Sequence, residues 1–183
     1  LLLGIQALSL PYGSTVITTP FSWVASAAAL CMNNLKIKFI DVGNDLSIDT
    51  DLIENSIDSN VSAIMAVHMH GNMCDMNQLK YLAKKYNLKL IEDCAQAYMA
   101  YDELGNIAGS YGDVAAFSFN PMKILGGLGD GGAVVFDDDS FVHQLRRLRH
   151  LGINMDGDYV EELSRNCRLD SVQARFLSVK MQY

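Results

Sequence analysis

Positive charge and paired cysteines are both scarce in this chain of 183 residues, and each shortage argues against a class of protein. Lys and Arg together number 14 against 21 Asp and Glu, so the net charge is −7. An acidic chain of this kind is not expected to bind nucleic acid, because phosphate-binding surfaces are rich in Lys and Arg. The scattered cysteines, Cys31, Cys74, Cys94 and Cys167, form no Cys-x-x-Cys pair, so we predict neither a zinc ribbon nor a disulfide framework. Such cysteines are typical of a reducing compartment, and we predict a cytoplasmic protein.

Long apolar runs and targeting segments are also missing. The longest apolar stretch, residues 23–32, is rich in Ala and Ser and is too short to span a bilayer. No basic segment precedes an apolar one near the start, so we predict no signal peptide and no membrane partner. The chain begins with Leu, and residues 169–183 have a helical pattern that stops without a cap, so we expect a fragment.

Short apolar runs that alternate with amphipathic stretches predict the fold. Half of the residues are hydrophobic and 19% are charged, which favours a buried α/β sheet over disorder. We predict a mostly parallel sheet flanked by helices, with ligands bound beyond the carboxyl ends of its strands. The predicted strands are 15–18, 37–40, 63–68, 88–91, 114–119 and 133–136, the last two of them buried. The predicted helices are 22–32, 49–57, 140–151, 169–183 and one that is capped by Asp75.

An acidic pair and a glutamine follow the predicted strand 88–91. Glu92 and Asp93 have a plain structural interpretation, because a carboxylate after a strand often caps the next helix. Their functional interpretation requires a cationic partner. A pyridoxal cofactor offers one, since a carboxylate beside the ring nitrogen keeps that nitrogen protonated and preserves the electron sink. The sequence leaves both interpretations open, and it places Gln96 nearby as a further polar candidate.

A lysine in an apolar context follows the predicted strand 114–119. Lys123 comes after Pro121 and before a run of glycines, whereas most lone lysines lie on a solvated surface. A lysine held in apolar surroundings can offer a free amine for a Schiff base. Ser118, at the end of the same strand, is a candidate ligand for a phosphate group, although a buried serine bonded to the backbone is an equal alternative.

The glycine run at 126–132 formally contains the dinucleotide-binding pattern. Gly127, Gly129 and Gly132 have the G-x-G-x-x-G spacing, but that fingerprint requires a strand before it and a helix after it. Here a β-rich run follows instead of a helix, so we do not predict that this segment binds a dinucleotide. The glycines instead allow the backbone to pass close to a bound ligand or a neighbouring subunit.

Two histidines and the single tryptophan complete the candidate residues. His68 and His70 alternate at a strand end and could share one side, but no nearby cysteine or carboxylate completes a metal site. We therefore predict no metal, and His68 as the wall of a polar substrate pocket. Trp23 follows a Pro-Phe-Ser turn, where an indole either packs in the core or stacks on a flat ligand ring.

In order along the chain, these segments resemble the DegT/DnrJ/EryC1/StrS family of sugar aminotransferases, which are fold-type I enzymes that use pyridoxal 5'-phosphate. The resemblance covers nearly the whole chain. The Glu-Asp-Cys-Ala-Gln-Ala block and the Phe-Ser-Phe-Asn-Pro-Met-Lys block are specific when they occur together. The matching segments are 18–25, 39–42, 67–71, 91–97, 117–123, 126–135 and 166–170.

The resemblance implies a role for each residue around the cofactor ring. Lys123 would hold the cofactor through a Schiff base, and Asp93 would pair with the protonated ring nitrogen. Gln96 would contact the ring hydroxyl, and Trp23 would stack on the ring. The expected fold is the large domain of a fold-type I aminotransferase.

The same resemblance implies a shared phosphate site. Ser118 would bind the cofactor phosphate, and Asn166 would reach the phosphate held by the neighbouring subunit, so a homodimer with shared active sites is expected. Residues 1–183 would be the central part of the cofactor-binding domain, incomplete at both ends and lacking a C-terminal small domain. The chain departs from the family pattern at Tyr98 and Met99, where His-Gly is frequent.

The implied activity is transfer of an amino group from glutamate to a keto sugar linked to a nucleotide, as in deoxyamino sugar and cell-surface polysaccharide biosynthesis. The Leu-Gly-Asp-Gly-Gly form of the glycine run resembles members that act on 3-keto sugars. One alternative substrate is a cyclitol or another ketone without a nucleotide. A non-catalytic regulator of the same fold is the alternative from another class.

Overall fold

The computed structural model describes residues 1–154 and 159–183, in which six strands form one sheet. The strands lie in the order β2-β1-β3-β4-β5-β6, and all neighbours are parallel except β6, which runs antiparallel to β5. This confirms the predicted α/β class with a mostly parallel sheet. The bounds are β1 (Thr15–Thr18), β2 (Lys36–Phe39), β3 (Val61–Val67), β4 (Lys89–Asp93), β5 (Val114–Ser118) and β6 (Gly132–Val135).

Six α-helices flank the sheet in the described residues. The sequence does not predict the first, because this short helix has no side-chain cap and no acidic residue in its first turn. Within residues 1–154 and 159–183, no helix has both the length and the apolar character needed to cross a bilayer. The helices are α1 (Leu2–Ala7), α2 (Val24–Cys31), α3 (Thr50–Ile53), α4 (Met76–Lys85), α5 (Phe141–Leu148) and α6 (Ser171–Lys180), with 3₁₀ turns at Glu54–Ser56 and Met69–Gly71.

The central strand β3 is buried on both faces. Successive side chains of a strand point to opposite faces. Ile64 therefore joins the apolar cluster under α4, while Met65 joins the cluster under α1 and α2. Burial on both faces explains why residues 63–67 form a continuous apolar run rather than an alternating one.

Helix α2 starts at the same edge of the sheet where the parallel strands end. We predicted Ser22 as its cap, but the N-cap is Trp23, and no side chain bonds to the first turn of the backbone. The hydroxyl of Ser22 lies 2.6 Å from the hydroxyl of Ser26 instead. The helix thus carries Ser26 to the sheet edge where β4 ends in Asp93.

The glycine run returns the chain beside β5 and reverses its direction. Phe119 N–H donates to Gly131 O, and β6 pairs antiparallel with β5 from Gly132 onward. A Cβ on Gly132 would lie 2.6 Å from Phe117 O, so only glycine fits there. The prediction of a buried final strand is wrong, because Gly132 and Val135 are exposed at this edge of the sheet.

Candidate active site

Asp93 is a buried carboxylate at the carboxyl end of β4. The residue is 6% exposed, and its two oxygens accept one hydrogen bond each. Ser26 Oγ donates to Oδ2 over 2.7 Å, and Ala95 N–H donates to Oδ1 over 3.1 Å. No helix follows β4 directly, so Asp93 does not cap one. Among the described residues, no cationic group lies within 4 Å of this carboxylate, which leaves its negative charge without an ionic partner.

Gln96 lies in the turn after Asp93 and is oriented by the turn after β3. Its Oε1 accepts the backbone N–H of His70 over 2.9 Å. His70 adopts a left-handed conformation with φ 56°, which aims this N–H at the glutamine. Because a donor faces Oε1, the NH₂ of Gln96 is the end that is left to donate to a ligand.

His68 is completely buried, which corrects its predicted role as a wall of the substrate pocket. Its exposed fraction is 0%, so its side chain offers no surface to a substrate. Nδ1 accepts the N–H of Cys74 over 3.2 Å, and Nε2 lies 3.1 Å from Glu92 Oε2. With Nδ1 as an acceptor, the proton lies on Nε2 and is donated to Glu92.

Glu92 lies at the centre of a cluster that fixes the end of β4 from the opposite face. Besides His68, three backbone N–H groups donate to its carboxylate: Gly109 over 2.9 Å, Tyr111 over 2.8 Å and Gly112 over 2.6 Å. Burial alone would raise the pKa of Glu92, yet these bonds hold that pKa below its usual value. We call Glu92, His68 and residues 109–112 the Glu92 cluster.

The Glu92 cluster is not suited to a metal. The possible ligand atoms of His68, Glu92 and Cys94 lie within 4.8 Å of one another. However, a carboxylate has about four lone pairs, and four donors already face that of Glu92. We also predicted that His68 and His70 alternate at the end of a strand and could share one side. This prediction is wrong, because β3 ends at Val67 and His70 lies in a 3₁₀ turn rather than on the strand.

Lys123 lies in a tight turn beyond β5. Its backbone N–H donates to Asn120 O over 2.8 Å, and the side chain is half-buried. A Cβ on Gly126 would lie 2.5 Å from Pro121 O, so a glycine is needed to close the turn. Within the described parts of the chain, no carboxylate forms an ion pair with the Lys123 amine. The amine is therefore available to a ligand.

Ser118 is the last residue of β5, immediately before this turn. Its hydroxyl accepts the N–H of Asn120 over 3.3 Å, and the side chain is half-buried. Its hydroxyl proton is therefore still available to a phosphate oxygen. Ser118 and Asp93 end neighbouring parallel strands, so both residues lie at the same edge of the sheet.

Trp23 presents an exposed indole at the start of α2. Its exposed fraction is 73%, so it is not part of the core of this chain. It precedes Ser26 by three residues, which is close to one helical turn, and Ser26 contacts Asp93. The indole is therefore on the same end of α2 as the donor to Asp93, and its exposed face is open to a ligand.

Asn166 is not brought to these residues by any contact within the described chain. The residue is exposed, and its Oδ1 accepts Arg168 Nε–H over 3.1 Å. Its backbone pairs with that of His150.

The similarity of the chain to known proteins shows which family it belongs to. The model of the DegT/DnrJ/EryC1/StrS aminotransferase family matches residues 1–183. The chain belongs to this family. The dTDP-3-amino-3,4,6-trideoxy-alpha-D-glucose transaminase of Micromonospora megalomicea subsp. nigra is 39% identical over 180 residues, which are 98% of the chain and 48% of that protein. The dTDP-3-amino-3,6-dideoxy-alpha-D-galactopyranose transaminase of Aneurinibacillus thermoaerophilus is 42% identical in a match 186 positions long, which covers 100% of the chain and 50% of that protein.

The fold of a solved relative agrees with the match. The structure of S. venezuelae DesV in complex with a ketimine intermediate superposes with a TM-score of 0.92 at 34% identity. The match covers 99% of this chain and 48% of DesV. The chain thus spans about half the length of the relatives that it matches.

The cofactor implied by the family, pyridoxal 5'-phosphate, fits the residues present. Within the described residues, Asp93 is a buried carboxylate without an ionic partner, and the protonated ring nitrogen of the cofactor would supply a cation there. In the same part of the chain, the Lys123 amine has no ion-pair partner and the NH₂ of Gln96 faces no acceptor. These three features are complementary to the nitrogen, the aldehyde and the hydroxyl of the ring.

The residues that donate hydrogen bonds to Asp93 and Glu92 were not identified from the sequence. Ser26 and residues 109–112 lie far along the chain from the acids that they contact, and no short motif contains both partners. Only one signal was available. Glu92 and Asp93 are adjacent on a strand, so their side chains had to point to opposite faces, and one of them had to be bonded within the protein.

The Glu92 cluster predicts a specific dependence of stability on pH. Glu92→Gln places amide protons among N–H donors, and we expect it to lower the free energy of unfolding by about 3 kcal/mol at neutral pH. Because the pKa of Glu92 is lowered by folding, the stability from its charge is present above the ordinary Glu pKa. That stability is lost as the pH falls through the folded value.

The difference in unfolding free energy between wild type and Glu92→Gln should therefore shrink as the pH falls from about 5 to about 3, across and below the ordinary Glu pKa. Urea unfolding of both proteins across this range measures it. Glu103→Gln, which changes an exposed loop residue, is the control and should leave the pH profile unaltered. A constant difference across the range would contradict the assignment.

Proposed function

We propose that this chain carries the cofactor site of a pyridoxal-phosphate-dependent aminotransferase, which transfers an amino group from glutamate to a keto sugar linked to a nucleotide. The observation that supports it most is the buried Asp93 carboxylate, which has no ionic partner among the described residues, at a sheet edge that also leads to Lys123. A buried carboxylate with only two neutral donors is stabilised further when a cation joins it. Membership of the family supports the same reaction class.

The residues divide the work around the cofactor. When bound, pyridoxal phosphate supplies an electron sink for the negative charge that develops on the amino-acid carbon. Asp93 holds a proton on the ring nitrogen, and the NH₂ of Gln96 donates to the ring hydroxyl. Trp23 covers one face of the ring and excludes water from it, while Ser118 donates to the phosphate.

Lys123 has two functions in this scheme. Its amine would hold the cofactor covalently, and the same amine would accept and return the proton that the amino donor loses. Both functions need an amine that is not held in an ion pair with a carboxylate. No described residue forms such a pair with Lys123.

The substrate proposal is a 3-keto sugar attached to a nucleotide. Two relatives are named as transaminases of dTDP-linked 3-amino sugars, and the chain shares 39% and 42% identity with them. The Leu-Gly-Asp-Gly-Gly form of the glycine run agrees with this class. The reaction would take place in the cytoplasm, where nucleotide-linked sugars and glutamate are both available.

The second subunit is part of the proposal. Asn166 makes no hydrogen bond to the other predicted residues within the described chain, and its side chain is exposed beside Arg168. In an isologous homodimer, the Asn166 of one subunit would reach the phosphate that Ser118 holds in the other. Each site would then depend on both chains.

The first test of this function is covalent labelling of Lys123. Borohydride reduction of the full-length protein with its cofactor should leave the pyridoxyl group on Lys123, because this amine alone lies in the turn beside Ser118. Mass spectrometry of peptides locates the label. Lys123→Ala should lose the label, and the control Lys84→Ala should keep it. A label on Lys36, Lys84 or Lys85 would contradict the assignment of Lys123 as the residue that binds the cofactor.

Substrate class is tested by product analysis. Incubation with glutamate and a set of dTDP- and UDP-linked 3-keto and 4-keto sugars should yield an amino sugar, detected by its mass, from a 3-keto member. A free cyclitol ketone serves as the comparison. Amination of the cyclitol ketone alone would refute the substrate class while leaving the cofactor chemistry in place.

Dimerisation is tested by complementation. Lys123→Ala and Asn166→Ala should each be inactive, since each removes one part of every site. A reassociated mixture in equal amounts should recover about a quarter of wild-type activity, because half of the dimers are mixed and one of their two sites is intact. Sedimentation confirms that dimers are present. Full activity of a monomeric preparation would contradict a shared site.

A further inference from the structure

Two serine hydroxyls lead in a line to the carboxylate of Asp93. Ser26 Oγ donates to Asp93 Oδ2 over 2.7 Å, which commits the Ser26 proton to the acid. Ser22 Oγ lies 2.6 Å from Ser26 Oγ, so Ser22 must be the donor in that pair. The two hydroxyls therefore form a directed chain of hydrogen bonds that ends on Oδ2.

The chain of hydrogen bonds from Ser22 to Asp93 lies at the start of α2. Ser26 is 4% exposed and is fixed by the first turn of the helix. Ser22 is half-buried before the N-cap. Ser26 could have bonded to the helix backbone, as serines in helices commonly do. It reaches across to β4 instead, over 67 positions of sequence.

Each oxygen of Asp93 is held by one hydrogen bond. Oδ1 is turned toward Ala95 N–H and Oδ2 toward Ser26. Each oxygen accepts about two bonds, so each retains one lone pair that faces away from these donors. The carboxyl plane is thus held by one bond from the following turn and one from a different helix.

We propose that Ser26 is a positioning residue that fixes Asp93 Oδ2 against the ring nitrogen of the cofactor, with Ser22 polarising the Ser26 hydroxyl; this inference rests on the proposed function. Bonds to a charged acceptor are stronger than neutral ones, and successive hydroxyls strengthen each other. Without Ser26, the carboxylate rotates about its side-chain torsions and meets the ring nitrogen in a poorer geometry.

The chain offers a matched control for the loss of a buried serine hydroxyl. Ser14 is also 4% exposed, and its hydroxyl lies 2.7 Å from that of Ser62. It precedes β1, at the amino edge of the sheet and away from Asp93. Ser14→Ala should therefore reproduce the effect of Ser26→Ala on stability, and it should leave cofactor affinity unchanged.

The test measures the affinity of the full-length apo-protein for two ligands by spectroscopic titration. One ligand is pyridoxal 5'-phosphate, and the other is its 1-deaza analogue, in which carbon replaces the ring nitrogen. Ser26→Ala should weaken binding of the natural cofactor roughly tenfold, the scale of one hydrogen bond to a charged group. The same variant should change binding of the analogue by less than about threefold, because the contact that Ser26 orients is missing there.

Two further variants test the direction of the hydrogen-bond chain from Ser22 through Ser26 to Asp93. Ser26→Thr keeps the hydroxyl and should bind the natural cofactor within about threefold of wild type, and Ser22→Ala should have a smaller effect than Ser26→Ala. Melting temperatures of the apo-proteins separate folding from binding. Equal weakening of both ligands in Ser26→Ala, or no weakening of either, would overturn the proposal.

Failure of the proposed function gives a different result. If the wild-type protein binds neither ligand and carries no pyridoxyl label on Lys123, the cofactor assignment itself is wrong. If the wild type binds and is labelled while Ser26→Ala matches it for both ligands, only the role of Ser26 is refuted. The two failures are therefore distinguished by the wild-type titration alone.

Discussion

A negative charge buried at the end of β4 sets the requirement that the rest of the site meets. Asp93 is 6% exposed, and its two hydrogen-bond donors are neutral groups of the protein. Neutral donors lower the free energy of a buried carboxylate, but they do not cancel its charge. The neighbouring strand β5 leads into the turn that holds Lys123, and Trp23 precedes Ser26, the donor to Asp93, by three residues. The proposed cofactor, a flat cationic ring, is complementary to all three residues.

Two neighbouring acids of one strand have opposite functions because the strand alternates. Glu92 points to one face, where His68 and three backbone N–H groups saturate it. Asp93 points to the other face and keeps lone pairs for a ligand. The hydrogen bonds to Glu92 fix the position of β4. Asp93, on the same strand, is therefore also held in place. The N–H of His68 also donates to Asp93 O over 3.1 Å, so the cluster holds the backbone of both acids.

The sequence was sufficient for the elements whose signal is local. Apolar runs identified all six strands, and position after a strand identified Asp93, Gln96 and Lys123 as candidates. His68 was misplaced because the alternation with His70 assumed a strand that continues past Val67, whereas the chain turns there. The direction of β6 was also not predictable, since it depends on how the glycine run packs on Phe117.

The supporting contacts were out of reach for a different reason. Ser26 and Asp93 are 67 positions apart, and each looks ordinary in its own segment. A helical serine and a strand-end aspartate become partners only after the sheet has placed α2 over β4. Long-range hydrogen bonds of this kind carry no periodicity, so the orientation of the site follows from the fold rather than from a motif.

The protonation state of the bound ring nitrogen tests the central claim most directly. Cofactor labelled with nitrogen-15 in the ring, bound to the full-length protein at neutral pH, can be observed by nuclear magnetic resonance. The account predicts the chemical shift of a protonated pyridine nitrogen in the wild type, and a shift toward the unprotonated value when Asp93 is replaced by Asn. An unprotonated nitrogen in the wild type would show that Asp93 does not pair with the ring.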